Sequence, residues 1–172
     1  MKDKVLILGS NGLLGLNLKR YFKSKKIKFI TQKKKKLINF KDLRNLILKN
    51  KINIIINLRA LTDVDFCEKN KVLANKINYI FVKNLCGLIK KIKNIHLIQI
   101  STDQLYSRFS DNYENKYSIL NHYTKTKVLA EKSAKKVSST IFRTNFFGNG
   151  RHKKRKSFSD WIYNNLKKQK KN

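Results

Sequence analysis

Three glycines, Gly9, Gly12 and Gly15, punctuate the step from a wholly apolar run, Val5-Leu6-Ile7-Leu8, into an amphipathic stretch. An apolar run without polar alternation reads as a strand covered on both faces. Beyond it, Leu13, Leu14, Leu16, Leu18, Tyr21 and Phe22 follow a helical pattern, with Lys19, Arg20 and Lys23 left for the wet side. Gly9 permits a tight turn, Gly12 lets an anion approach the backbone without a clashing Cβ, and Gly15 lets the helix lie close to the strand. A helix N-terminus at this point offers free N–H groups and a partial positive charge. Gly9, Asn11, Gly12, Leu13, Leu14 and Gly15 are therefore predicted to cradle the pyrophosphate of a dinucleotide, the alternative being an ordinary glycine-rich turn.

The alternation continues. Ile27–Thr31 reads as strand, Lys41–Lys49 as helix, Asn53–Leu58 as strand, Lys71–Lys91 as a long helix and Ile95–Ser101 as strand. Asn121–Lys136 reads as helix, Ser139–Arg143 as strand and Phe158–Lys168 as a last helix. Strands separated by helices pair in parallel, so the expected class is α/β: a Rossmann-like doubly wound parallel sheet with helices on both faces. One domain over residues 1–172, without repeats or a Pro/Gly/Ser-rich linker, accounts for the length.

Charge raises a different reading. The chain carries 41 Lys+Arg against 10 Asp+Glu, a formal net charge of +31, although 41% hydrophobic residues are enough for a core. Only seven of the 41 cations are arginine, the residue suited to bidentate phosphate and base recognition, and the lysines are scattered. Dedicated nucleic-acid binding is therefore not expected, while nonspecific attraction to polyanions is. The runs Lys33–Lys36 and Arg151–Lys156 read as solvated loops. Cys67 and Cys86 have no metal-ligand spacing and are too few for a disulfide framework, which predicts reduced packing residues and no metal site. No window has about 18 apolar residues, so no membrane span is expected and the cytoplasm is the expected compartment.

Chemistry enters with Tyr123-Thr124-Lys125-Thr126-Lys127. Four-residue spacing on a helix puts phenol and ammonium on one face. A neighbouring ammonium favours the phenolate, so Lys127 is expected to lower the Tyr123 pKa and ready the phenol as a proton donor. Upstream, Ser101-Thr102-Asp103 ends an apolar strand, where an open α/β sheet places its ligands. Thr102 there can hydrogen-bond a substrate carbonyl.

Glycine spacing G-x-x-G-x-x-G followed by Tyr-x-x-x-Lys resembles the extended short-chain dehydrogenase/reductases. Within them, a longer set of motifs is similar to dTDP-4-dehydrorhamnose reductase and its sugar-nucleotide-binding relatives. These are Asn57-Leu58-Arg59-Ala60-Leu61-Thr62, Val64-Asp65, Cys67-Glu68, Ile77-Asn78, Ser101 to Tyr106, Tyr123/Lys127 and Arg143-Thr144-Asn145-Phe146-Phe147-Gly148. The resemblance implies reduction of the 4-keto group of a dTDP-linked deoxysugar with NADPH or NADH, in dTDP-rhamnose synthesis for cell-surface polysaccharide. It implies that Thr102 orients the keto group, that Tyr123 donates the proton, and that Lys127 lowers the phenol pKa and holds the nicotinamide ribose. Ala60, Leu61 and Thr62 would pass beside the cofactor, and Asn39 and Phe40 would lie near the adenine, where the family usually has an acidic residue followed by an aliphatic one.

Cofactor choice follows from charge: no carboxylate follows Ile30-Thr31-Gln32, and lysines suit an extra phosphate, so NADP(H) is favoured over NAD(H). Arg59 departs from the pattern, standing where many relatives have alanine; it must find a phosphate or fold away. The stretch Ser107–His122 lacks the usual Asp-Gly pair and proline. Relatives also run to roughly twice the common domain size of about 150 residues, so the C-terminal substrate lobe is expected to be largely missing. Completion by a C-terminal polypeptide and a homodimer are both open assemblies. The competing functions are an epimerase or dehydratase of the same superfamily, which Asp103 keeps open, and a noncatalytic dinucleotide-binding module.

Overall fold

The computed structural model describes residues 3–32, 39–106, 112–148 and 158–169. The charge runs Lys33–Lys36 and Arg151–Lys156 and the Ser107-Arg108 pair lie outside them. All four side chains of β1 (Val5–Leu8) are buried, and the pleat explains the unbroken apolar run. Val5 and Ile7 face one layer, packing with Leu18 and Phe22 of α1 (Leu13–Ser24). Leu6 and Leu8 face the other, built from α2 (Phe40–Lys49), α5 (Phe81–Ile92) and α6 (His122–Ala134). Helices thus cover both faces of the sheet.

Strands β2 (Phe29–Thr31), β3 (Ile54–Asn57), β4 (His96–Thr102) and β5 (Ser139–Thr144) join β1 in the order β2-β1-β3-β4-β5, every pair parallel. Chain progression reverses between β1 and β3, where open α/β sheets bind their ligands. Register sets the depth of that crevice. Leu8, Asn57 and Gln99 are level, so Thr102 stands three residues, about 10 Å, beyond the ends of β1 and β3.

The long helix expected from Lys71 does begin there, but a separate short helix precedes it. Asp63 accepts from the Phe66 N–H at 2.9 Å and caps α3 (Val64–Lys69). The chain breaks at Asn70, resumes as α4 (Lys71–Ala74), widens into a π-helical segment at Asn75–Ile80 and only then becomes α5. Helix α6 is fixed at its N-terminus by a reciprocal capping box between Asn121 and Thr124. Glu68 of α3 also accepts from the His122 N–H, which holds its carboxyl below the usual range. Helix α7 (Phe158–Gln169) follows β5, with Ser159 Oγ accepting from Gly148 N at 2.9 Å.

Candidate active site

The glycine turn is built by close backbone contacts. Gly9 has φ +77° and would bring a Cβ to 2.7 Å from Arg59 N; a Cβ on Gly15 would come to 2.6 Å from Ser10 Cα. Both must stay glycine for β1, β3 and α1 to meet. Gly12 differs, because its added Cβ would meet only Gly9 O at 3.5 Å. It is the N-cap of α1 and supplies no side-chain acceptor, whereas Asn39, Asp63 and Asn121 cap α2, α3 and α6 through theirs. The first N–H groups of α1, from Leu13 onward, are therefore presented to the crevice without a side chain of their own cap or a first-turn acid. Asn11 accepts from Lys19 Nζ at 3.3 Å, which places a cation beside the turn.

At the overhanging end of β4, Thr102, Tyr123 and Lys127 are all buried. Thr102 stands close enough to the Tyr123 phenol to favour its ionised form. Lys127 Nζ donates to Ile100 O at 2.7 Å, on the same strand as Thr102. Thus the phenol and ammonium, one turn apart on α6, engage the last residues of β4. Burial pushes the Lys127 ammonium down to about 8, with the Glu131 carboxylate pulling the other way. The expectation for Tyr123 is not met: its phenol lies above the ordinary value, because burial outweighs the opposing influence of Thr102, and Lys127 is turned to the Ile100 carbonyl.

Residues after β3 complete the crevice wall. Asn78, in the π segment, accepts from Leu61 N at 2.7 Å, donates to Leu61 O at 3.0 Å and donates to Thr126 Oγ1 at 3.1 Å. It ties the Ala60-Leu61-Thr62 loop to α6. Thr62 is exposed, and Ala60 and Leu61 are half-buried. Across the sheet, Asn39 accepts from Lys41 N at 2.8 Å, and the rings of Phe40 and Phe81 pack 5.6 Å apart. Arg59 lies over Phe81, its Cζ 5.2 Å from the ring centroid.

Sequence reasoning gave no role to Glu131, which accepts from Ser101 Oγ and holds Arg143 of β5. Its signal was spacing: Glu131 follows Lys127 by four residues and shares the buried face of Tyr123. Asn78 entered only as part of a motif; a π segment, frequent at functional sites, marks it. No cluster of three or more His, Cys, Asp or Glu side chains able to hold a metal occurs among the described residues. No helix among them is long and apolar enough to cross a membrane.

The family described as the RmlD substrate binding domain matches residues 2–171. This chain belongs to that family. Solved relatives agree. A dTDP-4-dehydrorhamnose reductase from Clostridium acetobutylicum is 29% identical, with TM-score 0.81 over 96% of this chain and 60% of its own. A hypothetical dTDP-4-dehydrorhamnose reductase from Sulfolobus tokodaii is 32% identical, with TM-score 0.69 over 81% of this chain and 55% of its own. The Bacillus anthracis enzyme in complex with NADP shares the fold at 24% identity and TM-score 0.80, over the whole of this chain and 61% of its own. This RmlD-family chain spans about 60% of the length of the reductases from Clostridium and Bacillus. No curated protein matches.

A nicotinamide dinucleotide fits the residues present. The uncapped α1 N-terminus offers N–H donors to a pyrophosphate, and Gly12 leaves room for it to approach. The buried hydroxyl, phenol and ammonium then stand on the β4 side of the switch point.

Proposed function

We propose that this chain forms the cofactor-binding half of an NADP(H)-dependent reductase acting on a nucleotide-linked 4-ketosugar, with a dTDP-linked sugar as substrate. The carrying observation is that Thr102, Tyr123 and Lys127 are buried together at the end of β4, across the switch point from an α1 N-terminus that lacks a side-chain cap. The same reading places it in dTDP-rhamnose synthesis and in the cytoplasm, where buried Cys67 and Cys86 stay reduced.

When bound, the cofactor supplies a hydride to the carbonyl carbon. Thr102 donates to the carbonyl oxygen and holds it against the phenol. Tyr123 passes its proton to that oxygen as the negative charge develops, which balances hydride addition to give the alcohol. Burial raises the phenol pKa, so Tyr123 enters the step protonated. Turning from Ile100 O to the phenol, Lys127 then stabilises the phenolate left behind. Ala60, Leu61 and Thr62 line the cofactor's path, held in place by Asn78.

The sugar nucleotide would be gripped by a completing C-terminal polypeptide or a second copy of the chain. A noncatalytic nucleotide-binding role is the second reading, because the α1 N-terminus without a side-chain cap can hold a dinucleotide whether or not a ketosugar is turned over. Measuring ketosugar-dependent NADPH oxidation decides between them. Turnover that disappears in Tyr123→Phe while NADPH binding persists supports the reductase; binding without turnover in either protein selects the module. An epimerase or dehydratase would convert the sugar without net consumption of NADPH.

A further inference from the structure

We propose that Gln99 positions Lys127: its amide holds the Ile100 carbonyl, so that the ammonium can leave that oxygen for the Tyr123 phenol. The inference rests on the reductase reading above and adds a residue to it. Ile100 O is shared, accepting from Lys127 Nζ at 2.7 Å and from Gln99 Nε2 at 2.9 Å. The ladder explains why side chains reach this oxygen. His96 N donates to Asn53 O on the β3 side and Leu97 N to Ser138 O on the β5 side, so the alternation turns Ile100 O toward β3. That strand ends at Asn57, level with Gln99, and so stops short of it.

A chain of hydrogen bonds fixes which way the Gln99 amide points. Arg59 N can only donate, and it does so to Asn57 Oδ1 at 3.2 Å. Asn57 therefore presents Nδ2 to Gln99 Oε1, 2.8 Å away, which leaves Gln99 Nε2 directed at Ile100 O. Asn57 and Gln99 are 1% and 2% exposed, so a reversed amide would leave buried groups unpaired. Two residues earlier on the same face stand Ile55 and Leu97, both core residues, so packing alone does not call for a pair of amides here. A buried carbonyl stripped of its donor is costly, and Lys127 would be pinned to Ile100 O if that oxygen had no second one. With Gln99 in place the oxygen keeps a donor when the ammonium moves. The amide also points its positive N–H end at the oxygen that Nζ holds, which loosens the ammonium's attachment. Glu131 on the same helix, held by Arg143 of β5, favours the ammonium, while Asp103 after β4 and Cys67 of α3 act on Tyr123; all four are common to the variants below.

Two measurements on the whole chain test this: a pH titration of isotope-labelled lysine side chains by NMR, with the Lys127 signal assigned by its loss in Lys127→Met, and ketosugar-dependent NADPH oxidation. In Gln99→Glu an acceptor replaces the donating amide and catches the ammonium against Ile100 O. Lys127 should then titrate at least about one pH unit higher, a tenfold gain in proton affinity. Gln99→Met, close in volume and without a polar group, removes the positive N–H end and leaves Ile100 O to Lys127, so the titration should rise by a smaller amount. In both variants kcat should fall by about tenfold or more while KM and NADPH affinity stay within about twofold. A residue with only a structural role would lower the melting temperature and leave the Lys127 titration and kcat as they are. That result in a folded variant overturns the proposal, as does a raised titration with native kcat; both leave the reductase reading in place. A native chain that binds NADPH without oxidising it removes the reductase reading and the proposal with it.

Discussion

Arg143 on β5 grips Glu131 on α6 with two of its nitrogens, Nη2 at 2.7 Å and Nε at 3.0 Å, in a pair whose side chains are only 8% and 4% exposed. The same carboxylate accepts from Ser101, next to Thr102. Tyr106 and Tyr117 lie against the guanidinium, 5.3 and 5.6 Å from its Cζ. The pair therefore joins three pieces, the end of β4, β5 and the helix that carries Tyr123 and Lys127.

Breaking that pair from one side strands a buried charge. Arg143→Met should lower unfolding free energy by about 3–5 kcal/mol, because Glu131 is left buried without its counter-ion. Removing both charges with Glu131→Leu/Arg143→Met should recover much of the loss. Urea unfolding of the two proteins checks it; a double variant no more stable than the single one would show that shape, not charge, dominates here.

The glycine turn gives a sharper contrast. Gly15→Ala forces a Cβ to within 2.6 Å of Ser10 main-chain atoms, so α1 cannot keep its approach and the chain should lose several kcal/mol or fail to fold. Gly12→Ala meets only an ordinary contact at 3.5 Å and should change stability by less than about 1 kcal/mol. Its methyl group instead enters the space where the pyrophosphate is proposed to sit, so NADPH binding should weaken by tenfold or more. Circular dichroism melts and nucleotide titration of both variants read the two effects separately. Unaltered NADPH affinity in folded Gly12→Ala would move the phosphate site elsewhere.

Which parts were legible follows from where the information lay. The five strands and their connecting helices were readable because Val5–Leu8, Ile54–Asn57 and His96–Thr102 are central strands whose two faces demand apolar residues, a local property of sequence. Helix ends were less readable, because glycine does not mark them. Lys26, Lys51, Lys93 and Asn94 take positive φ at the ends of α1, α2 and α5, positions where a reader expects glycine. The start of α3 at Val64, behind its Asp63 cap, was hidden because the helix is only 6 residues long. In the site, Tyr123 and Lys127 announced themselves by spacing, but the orientation of Lys127 toward Ile100 O depends on how α6 docks on β4, which spacing does not encode. Glu131 and Asn78 act through partners 30 and 17 residues away, Ser101 and Leu61, and only the fold brings those together.

Lys127 makes a pH-dependent prediction that the rest of a lysine-rich chain cannot obscure. Its ammonium is held at about 8 in the folded protein against an ordinary 10.5, because burial disfavours the charge. Below pH 8 both folded and unfolded chains carry this proton, and the full penalty for burying it is present. Between about pH 8 and 10.5 the folded protein has released the proton while the unfolded chain still binds it, so the contribution of this group to stability rises with pH. Lys127→Met has no such group, and every other lysine is common to both proteins and cancels in the comparison. The stability of Lys127→Met minus that of the native chain should therefore be greatest at pH 7 and fall through the window by up to about 1.4 kcal/mol per pH unit. Losing the bond to Ile100 O shifts the whole difference by a constant, not its slope. Urea midpoints at pH 7, 8.5 and 10 measure that slope, and a flat difference would show that the ammonium is solvated in the folded chain and does not stand buried beside Tyr123.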